Sequence, residues 1–284
     1  MIVVSAASGA LGRLVVAALL ARVPAGRVVA AVRDPARVAD LAARGVVVRR
    51  GDYDDPGSLR LAFEGADRLL LISSPELDTG RRTKQHLAAI EAAVAQGVGA
   101  IAYTSFLGAD RGGDGMNAAH HATERALLDS GAAHTVLRHP FYTDAFVEAG
   151  IGAVAGSGRL VSAAGGRGLN TVTRADLADA AAAVLTGDGH AGRAYDLTGP
   201  LWTYPQLAAA IGDATGRPVV HEEVDAVPGP MGFLMALARS GALERQTGDL
   251  HHLLGRPPTS LQQAVTDALE THSAGALSEG AESD

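Results

Sequence analysis

The sequence predicts an α/β protein built on a doubly wound parallel sheet, and three observations predict it. Apolar, β-branched runs alternate with helical patterns as far as about residue 138. The runs are apolar without polar alternation, as in strands covered on both faces. Short connections join them, in the manner of successive βα units.

In chain order, strands are read at 2–5, 28–33, 46–50, 68–73, 99–104 and 134–138, with helices at 10–22, 35–44, 57–64, 81–96 and 116–130. Gly45, Gly97 and Gly131 fall where helix ends are expected. Beyond Arg138 the regularity weakens at Pro140, through the Gly-rich stretch 150–168 and at Pro200. A helix at 174–186, a strand at 193–197, a helix at 203–215 and a strand at 219–224 remain. The expected division is a main domain of residues 1–138 with 171–198, and a small lobe of residues 139–170 with 199–272. The tail 273–284 is small, polar and acidic, and is expected to be disordered.

Composition narrows the function. Hydrophobic residues make up 47% of the 284, which suffices for a substantial core. A net charge of −7 gives no electrostatic footprint for nucleic acid. The absence of cysteine excludes disulfides, thiolate zinc sites and thiol catalysis. No cleavable leader is read at the start, and no apolar run approaches the ~18 residues that span a bilayer. A cytoplasmic protein without a membrane partner is therefore expected. The helix at 81–96 is apolar enough to pack the sheet or a second copy, which leaves a homodimer open.

The most informative segment is Ser5-Ala-Ala-Ser-Gly-Ala-Leu-Gly12, between the first strand and the first helix. Small residues there let main-chain N–H groups approach a diphosphate at the helix N-terminus. Gly9 and Gly12 fit a G-x-x-G-x-x-G spacing, with Ala6 where its first glycine belongs. Ala6, Ala7, Ser8, Gly9, Ala10, Leu11 and Gly12 are thus the candidate phosphate loop of a dinucleotide site. Arg33 ends the second strand, about 20 residues beyond the loop, where an acidic residue would mark NAD. A guanidinium there pairs with a 2′-phosphate and reads NADPH. Asp52 and Tyr53 follow the third strand, placed to meet an adenine amino group and cover the ring. Ser73 and Ser74 end the fourth strand and Thr104 and Ser105 the fifth, on the carboxyl edge where open α/β sheets bind ligands.

Other chemistries find no support. None of Tyr53, Tyr103, Tyr142, Tyr195 and Tyr204 has a lysine four residues on, so the Tyr-Lys acid/base pair of ordinary short-chain dehydrogenases is missing. A Gly-x-Ser-x-Gly elbow is missing too. His120-His121 and His251-His252 lack the spacing of a helical metal site, and no metal is expected.

Ser5 to Gly12, Ala31-Val-Arg-Asp-Pro-Ala-Arg37, Gly51-Asp-Tyr-Asp-Asp55 and Leu69-Leu-Leu-Ile-Ser-Ser74 resemble the atypical short-chain dehydrogenases of the NmrA-like group. Gln85-His86, Ala102 to Ser105, His120 with Thr123-Glu124, Leu137-Arg138, Tyr142, Thr173 to Asp176 and Leu254 to Pro257 follow in the order of its type 2 NAD(P)H:quinone oxidoreductases. The likeness runs from residue 1 to about 265. It implies a Rossmann-type domain with a small C-terminal substrate lobe, NADPH as cofactor, and two-electron reduction of a quinone in the cleft. It further implies that Ser73-Ser74-Pro75 and the segment His139, Pro140, Phe141, Tyr142 flank the nicotinamide half. Asn170 to Arg174, with Thr171 among them, would close over the cofactor or border the lobe. Gln85, His86, Phe106 and Phe141 are the candidate substrate contacts, and Tyr142 or His120 the candidate proton donor. The chain departs from the pattern at Ala6, at His139-Pro140 in place of Asn-Gly, and in a shortened stretch between Val224 and Gly248. Two other functions fit the same residues: a tailoring enzyme acting on an aromatic or polyketide-like molecule with a decayed cofactor site, and a regulator that senses NADP(H) without turnover.

Overall fold

The computed structural model describes residues 1–112, 115–148 and 150–281. In chain order its elements are β1 (Ile2–Val4), α1 (Ala10–Leu20), β2 (Val28–Val32), α2 (Ala39–Ala43), β3 (Val47–Arg50), α3 (Pro56–Phe63), β4 (Arg68–Leu71), α4 (Thr79–Ala95), β5 (Ala100–Phe106), α5 (Ala118–Asp129), β6 (His134–His139), β7 (Phe141–Tyr142), α6 (Thr143–Val147), α7 (Ile151–Ser157), β8 (Arg159–Ser162), β9 (Leu169–Val172), α8 (Arg174–Thr186), β10 (Ala194–Asp196), β11 (Leu201–Trp202), α9 (Tyr204–Thr215), β12 (Val220–Glu223), α10 (Gly229–Arg239), α11 (Asp249–Leu254) and α12 (Leu261–Ala281).

The chain forms two compact units, the first of Met1–His139, Arg174–Leu197 and His252–Gly255. Its seven strands pair in the order β10-β6-β5-β4-β1-β2-β3, every pair parallel. The strand order reverses between β1 and β4, which makes that crevice the switch point where such sheets bind ligands. Strands this apolar form because both faces are covered. Val3, Leu69, Leu71, Ile101 and Tyr103 pack with Leu59, Phe63, Ala89, Ile90 and Leu127 of α3, α4 and α5. The alternate residues Ile2, Val4 and Leu70 are equally buried, and α1 and α8 pack together against the strands. The apolar face of α4 is therefore laid on the sheet.

Helix starts follow the local chemistry. Asp55 precedes Pro56 and accepts from the Ser58 N–H, and Asp78 accepts from the Arg81 N–H. At the far edge, Arg138 on β6 meets Glu124 of α5 through two hydrogen bonds (2.9 and 2.7 Å) and reaches Asp196 of β10 at 3.4 Å. This ties the last strand to the sheet.

The second unit comprises Pro140–Thr173, Thr198–His251 and Arg256–Asp284. It holds the ribbon β11-β9-β7 and the parallel pair β12-β8. Phe146, Leu160, Leu169, Trp202, Tyr204, Leu207, Ile211, Met235 and Val265 form its core. The short strands β7, β8, β9 and β11 have no counterpart in the sequence reading. Two to four residues among glycines carry no period, and pairing across the unit makes them strands. α12 continues to Ala281 across most of the segment expected to be disordered, and residues 282–284 lie outside the described residues. Among the described residues no helix is long and apolar enough to cross a membrane.

Candidate active site

The loop after β1 is shaped by main-chain geometry. Ala6 has φ +48° and is, among the described residues, the one non-glycine with positive φ. Its carbonyl accepts from the Gly9 N–H (3.0 Å), while the Ala7 N–H returns to Ala31 of β2 (3.2 Å). A Cβ on Gly12 would lie 2.5 Å from the Ala6 oxygen and 2.7 Å from the Ala7 Cα, so only glycine lets α1 start this close to the turn. Gly9 stands at the N-cap of α1 and no side chain caps the helix. The first-turn amides of Ala10, Leu11 and Gly12 therefore have no partner within the helix. Uncapped amides over a tight turn suit a diphosphate.

At the end of β2, Arg33 is exposed. Its neighbour Asp34 is committed elsewhere, accepting from the Ala36 N–H at 3.1 Å as the cap of the next turn. The turn is braced by Arg13 of α1, which bonds Asp40 (2.8 Å) and the Arg37 carbonyl (2.5 Å).

Asp52 and Tyr53 both bond within the chain. One Asp52 oxygen accepts from the Asp54 N–H (3.1 Å) and so shapes its own turn. The Tyr53 hydroxyl turns inward, bonding Ser5 Oγ (2.6 Å) and donating to the Ile72 carbonyl (2.5 Å). Burial pushes its pKa well above the ordinary phenol value. It is a brace beneath the switch point, tied through its hydroxyl.

The loop after β4 is held entirely by side chains. The Ile72 N–H donates to Ser5 Oγ (2.9 Å), the Ser73 N–H to Thr104 Oγ1 (2.8 Å) and the Ser74 N–H to His86 Nε2 (2.8 Å). Ser74 Oγ donates to Gln85 Oε1 (2.5 Å) and accepts from the Glu76 N–H (3.2 Å). The N–H groups of Leu77 and Asp78 both go to Glu76 Oε1. Strands β1 and β4 stop at Val4 and Leu71, short of the expected 5 and 73, because the Ser5 side chain replaces the next rung of the ladder.

Behind this loop lies a buried polar cluster. His86 Nδ1 is 2.8 Å from Thr123 Oγ1, whose hydrogen goes to the Ala119 carbonyl (2.6 Å). The Tyr103 hydroxyl is 2.9 Å from His120 Nδ1. Burial, with the positive charge of Arg82 nearby, pushes His86 and His120 down to about 3; burial alone does the same to His139. Burial also raises the Tyr103 pKa. All three imidazoles are neutral at ordinary pH. Gln85 and His86, expected against substrate, are 7% and 0% exposed and bond the chain's own loop. Gln85 Nε2 also donates to Asp54 (2.9 Å), whose pKa is lowered by Arg81 first and Gln85 second. His120, expected as a proton donor, is 4% exposed and rests against Phe106, with ring centroids 5.9 Å apart.

In the second unit, Asn170 and Thr171 also turn to internal duties. The Asn170 amide pairs with both main-chain groups of Gly199 (3.2 and 3.1 Å). Thr171 Oγ1 receives the Trp202 indole N–H (2.7 Å) and meets Thr143 Oγ1 (2.7 Å). Pro140 is buried, Phe141 stands edge-on to Phe146 (6.1 Å), and Tyr142 is half-buried at the start of α6. Arg174 opens α8 in the first unit. Ser5 and Arg82, whose guanidinium lies 3.3 Å from Ser73 Oγ, were missed by the sequence reading. A serine closing an apolar strand at the switch point was a usable signal for the first, and Arg82 offered none.

Residues 6–188 match the NAD(P)H-binding family. The chain is 39% identical to Quinone oxidoreductase 2 of Escherichia coli K12 over 94% of its own length and 98% of that protein's. The Citrobacter sp. triphenylmethane reductase, solved with NADP(H), superposes with a TM-score of 0.89 at 37% identity, covering 94% of this chain and all (100%) of that one. The NADPH-dependent quinone oxidoreductase of E. coli, solved with NADPH, gives 0.86 at 37% identity over 95% and 100%. With its uncapped helix start, its glycine-tight turn and its parallel sheet, the chain belongs to the NAD(P)H-binding family of reductases to which these proteins are related.

Proposed function

We propose that the chain is an NADPH-dependent oxidoreductase that reduces quinones and quinone-like aromatics. The observation that carries the reading is the β1–α1 loop, where three unpartnered amides lie over a turn that Gly12 alone permits, near an exposed Arg33. The likeness to a quinone oxidoreductase along almost the whole chain supplies the substrate class. When bound, the dinucleotide supplies a hydride.

In this reading the chain's own residues bind and orient. The amides of residues 10–12 hold the diphosphate, Arg33 holds the 2′-phosphate, and the loop 73–75 faces the nicotinamide half. Reduction of a quinone leaves a phenolate, a stable charge, so orientation carries most of the rate and no strong buried acid is needed. That fits the missing Tyr-Lys pair. Tyr142 or water delivers the proton; His120, buried and pushed to about 3, is the weaker donor. Phe106 and Phe141 are the proposed aromatic contacts for substrate.

The test follows NADPH absorbance with simple quinones, in the unmodified chain and in Arg33→Ser. Quinone-dependent oxidation is expected, with NADPH preferred over NADH. Arg33→Ser should cut that preference by about 10- to 100-fold, the worth of a charge-assisted hydrogen bond, and leave NADH turnover unchanged. Binding without oxidation of NADPH by any quinone would favour a sensor, and no binding at all would overturn the reading.

A further inference from the structure

The main-chain donors of the β4–α4 loop are all committed within the protein. From Ile72 to Asp78 every N–H is taken by a side-chain acceptor, and Pro75 has none to give. No main-chain ladder shapes the segment, so its conformation rests on the side chains that accept from it. With the main-chain donors committed, what the backbone of the loop has left to offer is its carbonyl oxygens, while Ser73 Oγ accepts from Arg82 (3.3 Å) and keeps its own O–H to give. Such a surface suits a ligand edge rich in donors, as a ribose hydroxyl or a carboxamide NH₂ is.

Two adjacent residues of α4 grip the centre of this loop. Gln85 takes the Ser74 hydroxyl hydrogen and His86 takes the Ser74 N–H. An imidazole nitrogen that accepts from an amide carries no proton, so His86 holds its hydrogen on Nδ1 and gives it to Thr123. Thr123 passes its own hydrogen to Ala119, which fixes the tautomer from behind. The Tyr103 ring, edge-on to His86 at 5.6 Å, sets the imidazole plane.

We infer that His86 is a positioning residue: through Ser74 it fixes the loop 72–75 so that its main chain offers carbonyl acceptors to the nicotinamide half of the cofactor, without touching the cofactor itself. The neutral state this needs is supplied by burial, which holds His86 far below the ordinary imidazole range. The inference rests on the NADPH reading for the identity of the ligand, and on the hydrogen bonds alone for the clamp.

The experiment compares the unmodified chain with His86→Phe, which keeps a ring and loses the acceptor, and His86→Gln, which restores an acceptor. Amide exchange at Ser74 in ligand-free protein should rise about tenfold in the Phe variant, as for one lost hydrogen bond, and return in the Gln variant. Affinity for 2′,5′-ADP, which lacks the nicotinamide half, should stay unchanged while NADPH affinity weakens about fivefold or more. Unaltered Ser74 exchange, or equal weakening for both nucleotides, overturns the inference. Should the Phe variant not fold, nitrogen NMR of the unmodified chain decides: a proton on His86 Nδ1 supports the clamp and one on Nε2 overturns it. NADPH binding that follows this pattern in a chain that reduces no quinone would sink the reductase reading and leave His86 in its role.

Discussion

Two loops leave the switch-point strands of the same sheet, and they are built on opposite principles. The loop after β1 takes its shape from the main chain: a left-handed residue, a carbonyl-to-amide turn, and a glycine with no room for a methyl. The loop after β4 takes its shape from side chains, Ser5 just after β1, Thr104 of β5, His86 of α4 and its own Ser74 and Glu76, which accept its amides one by one. The first presents donors, as an anion requires, and the second retains acceptors, as a neutral polar edge requires. One is sensitive to added volume and the other to the loss or protonation of a distant group.

Acid should separate them most strongly. His86, His120 and His139 are buried with folded-state values near 3, against about 6.5 when unfolded. Because the folded values are the lower ones, the unfolded chain takes up protons first. Stability is therefore full above about pH 6.5 and falls as pH drops toward 3. Between pH 7 and 5 each histidine costs about 2 kcal/mol, so the three together cost on the order of 5 kcal/mol. Urea unfolding at the two pH values reads this directly. A flat profile down to pH 5 would mean that the cluster behind the β4 loop is open to water.

Volume should break the other loop. Gly12→Ala puts a methyl inside the radius of the Ala6 oxygen and the Ala7 Cα, both main chain and neither able to swing aside. We expect a loss of about 2 kcal/mol in stability from the forced backbone shift. NADPH affinity should fall about 100-fold, since the amides of the first helical turn move with the backbone. Thermal melts and fluorescence titration measure the two. Retained affinity would show that the turn can open without losing its grip on phosphate.

The same contrast governs what could be read in advance. The loop after β1 is contiguous, and small residues at fixed spacing between an apolar run and a helix announce a tight turn into the helix, so the shape of Ala6 to Gly12 was legible. The parallel sheet covered on both faces followed from strands too apolar for one-sided burial. The exposed position of Arg33 was legible because a strand end places it. The roles of Gln85, His86 and Tyr53 were not, although the residues themselves stood out. Motif order brought them to the right edge, but whether a polar side chain faces ligand or chain depends on partners far away in sequence: Tyr53 reaches Ile72, and His86 meets both Ser74 and Thr123. The internal bonds of Asn170 and Thr171 were hidden for the same reason, since their partners Gly199 and Trp202 lie some thirty residues on. In the second unit, strands of two to four residues carried no readable period.

The smallest effect is the most discriminating. Ala6 keeps a methyl at φ +48°, in a region that costs an L-residue about 1 kcal/mol and glycine almost nothing. Ala6→Gly relieves that strain but also frees the unfolded chain, a loss of about 0.4–1 kcal/mol, so the melting temperature should shift by only a few degrees. The strain is present with or without ligand, because the Gly9 bond and the Gly12 contact impose the turn in both states. Its relief therefore cannot alter affinity. What can alter affinity is the methyl itself, standing in the turn whose amides are proposed to hold the diphosphate. Removing it should tighten NADPH several-fold, about 1 kcal/mol. A tighter complex at nearly constant stability would assign Ala6 a steric role at the phosphate. Unchanged affinity would mean that the methyl points clear of it, and that this loop tolerates alanine at its first position because the main chain alone sets its shape.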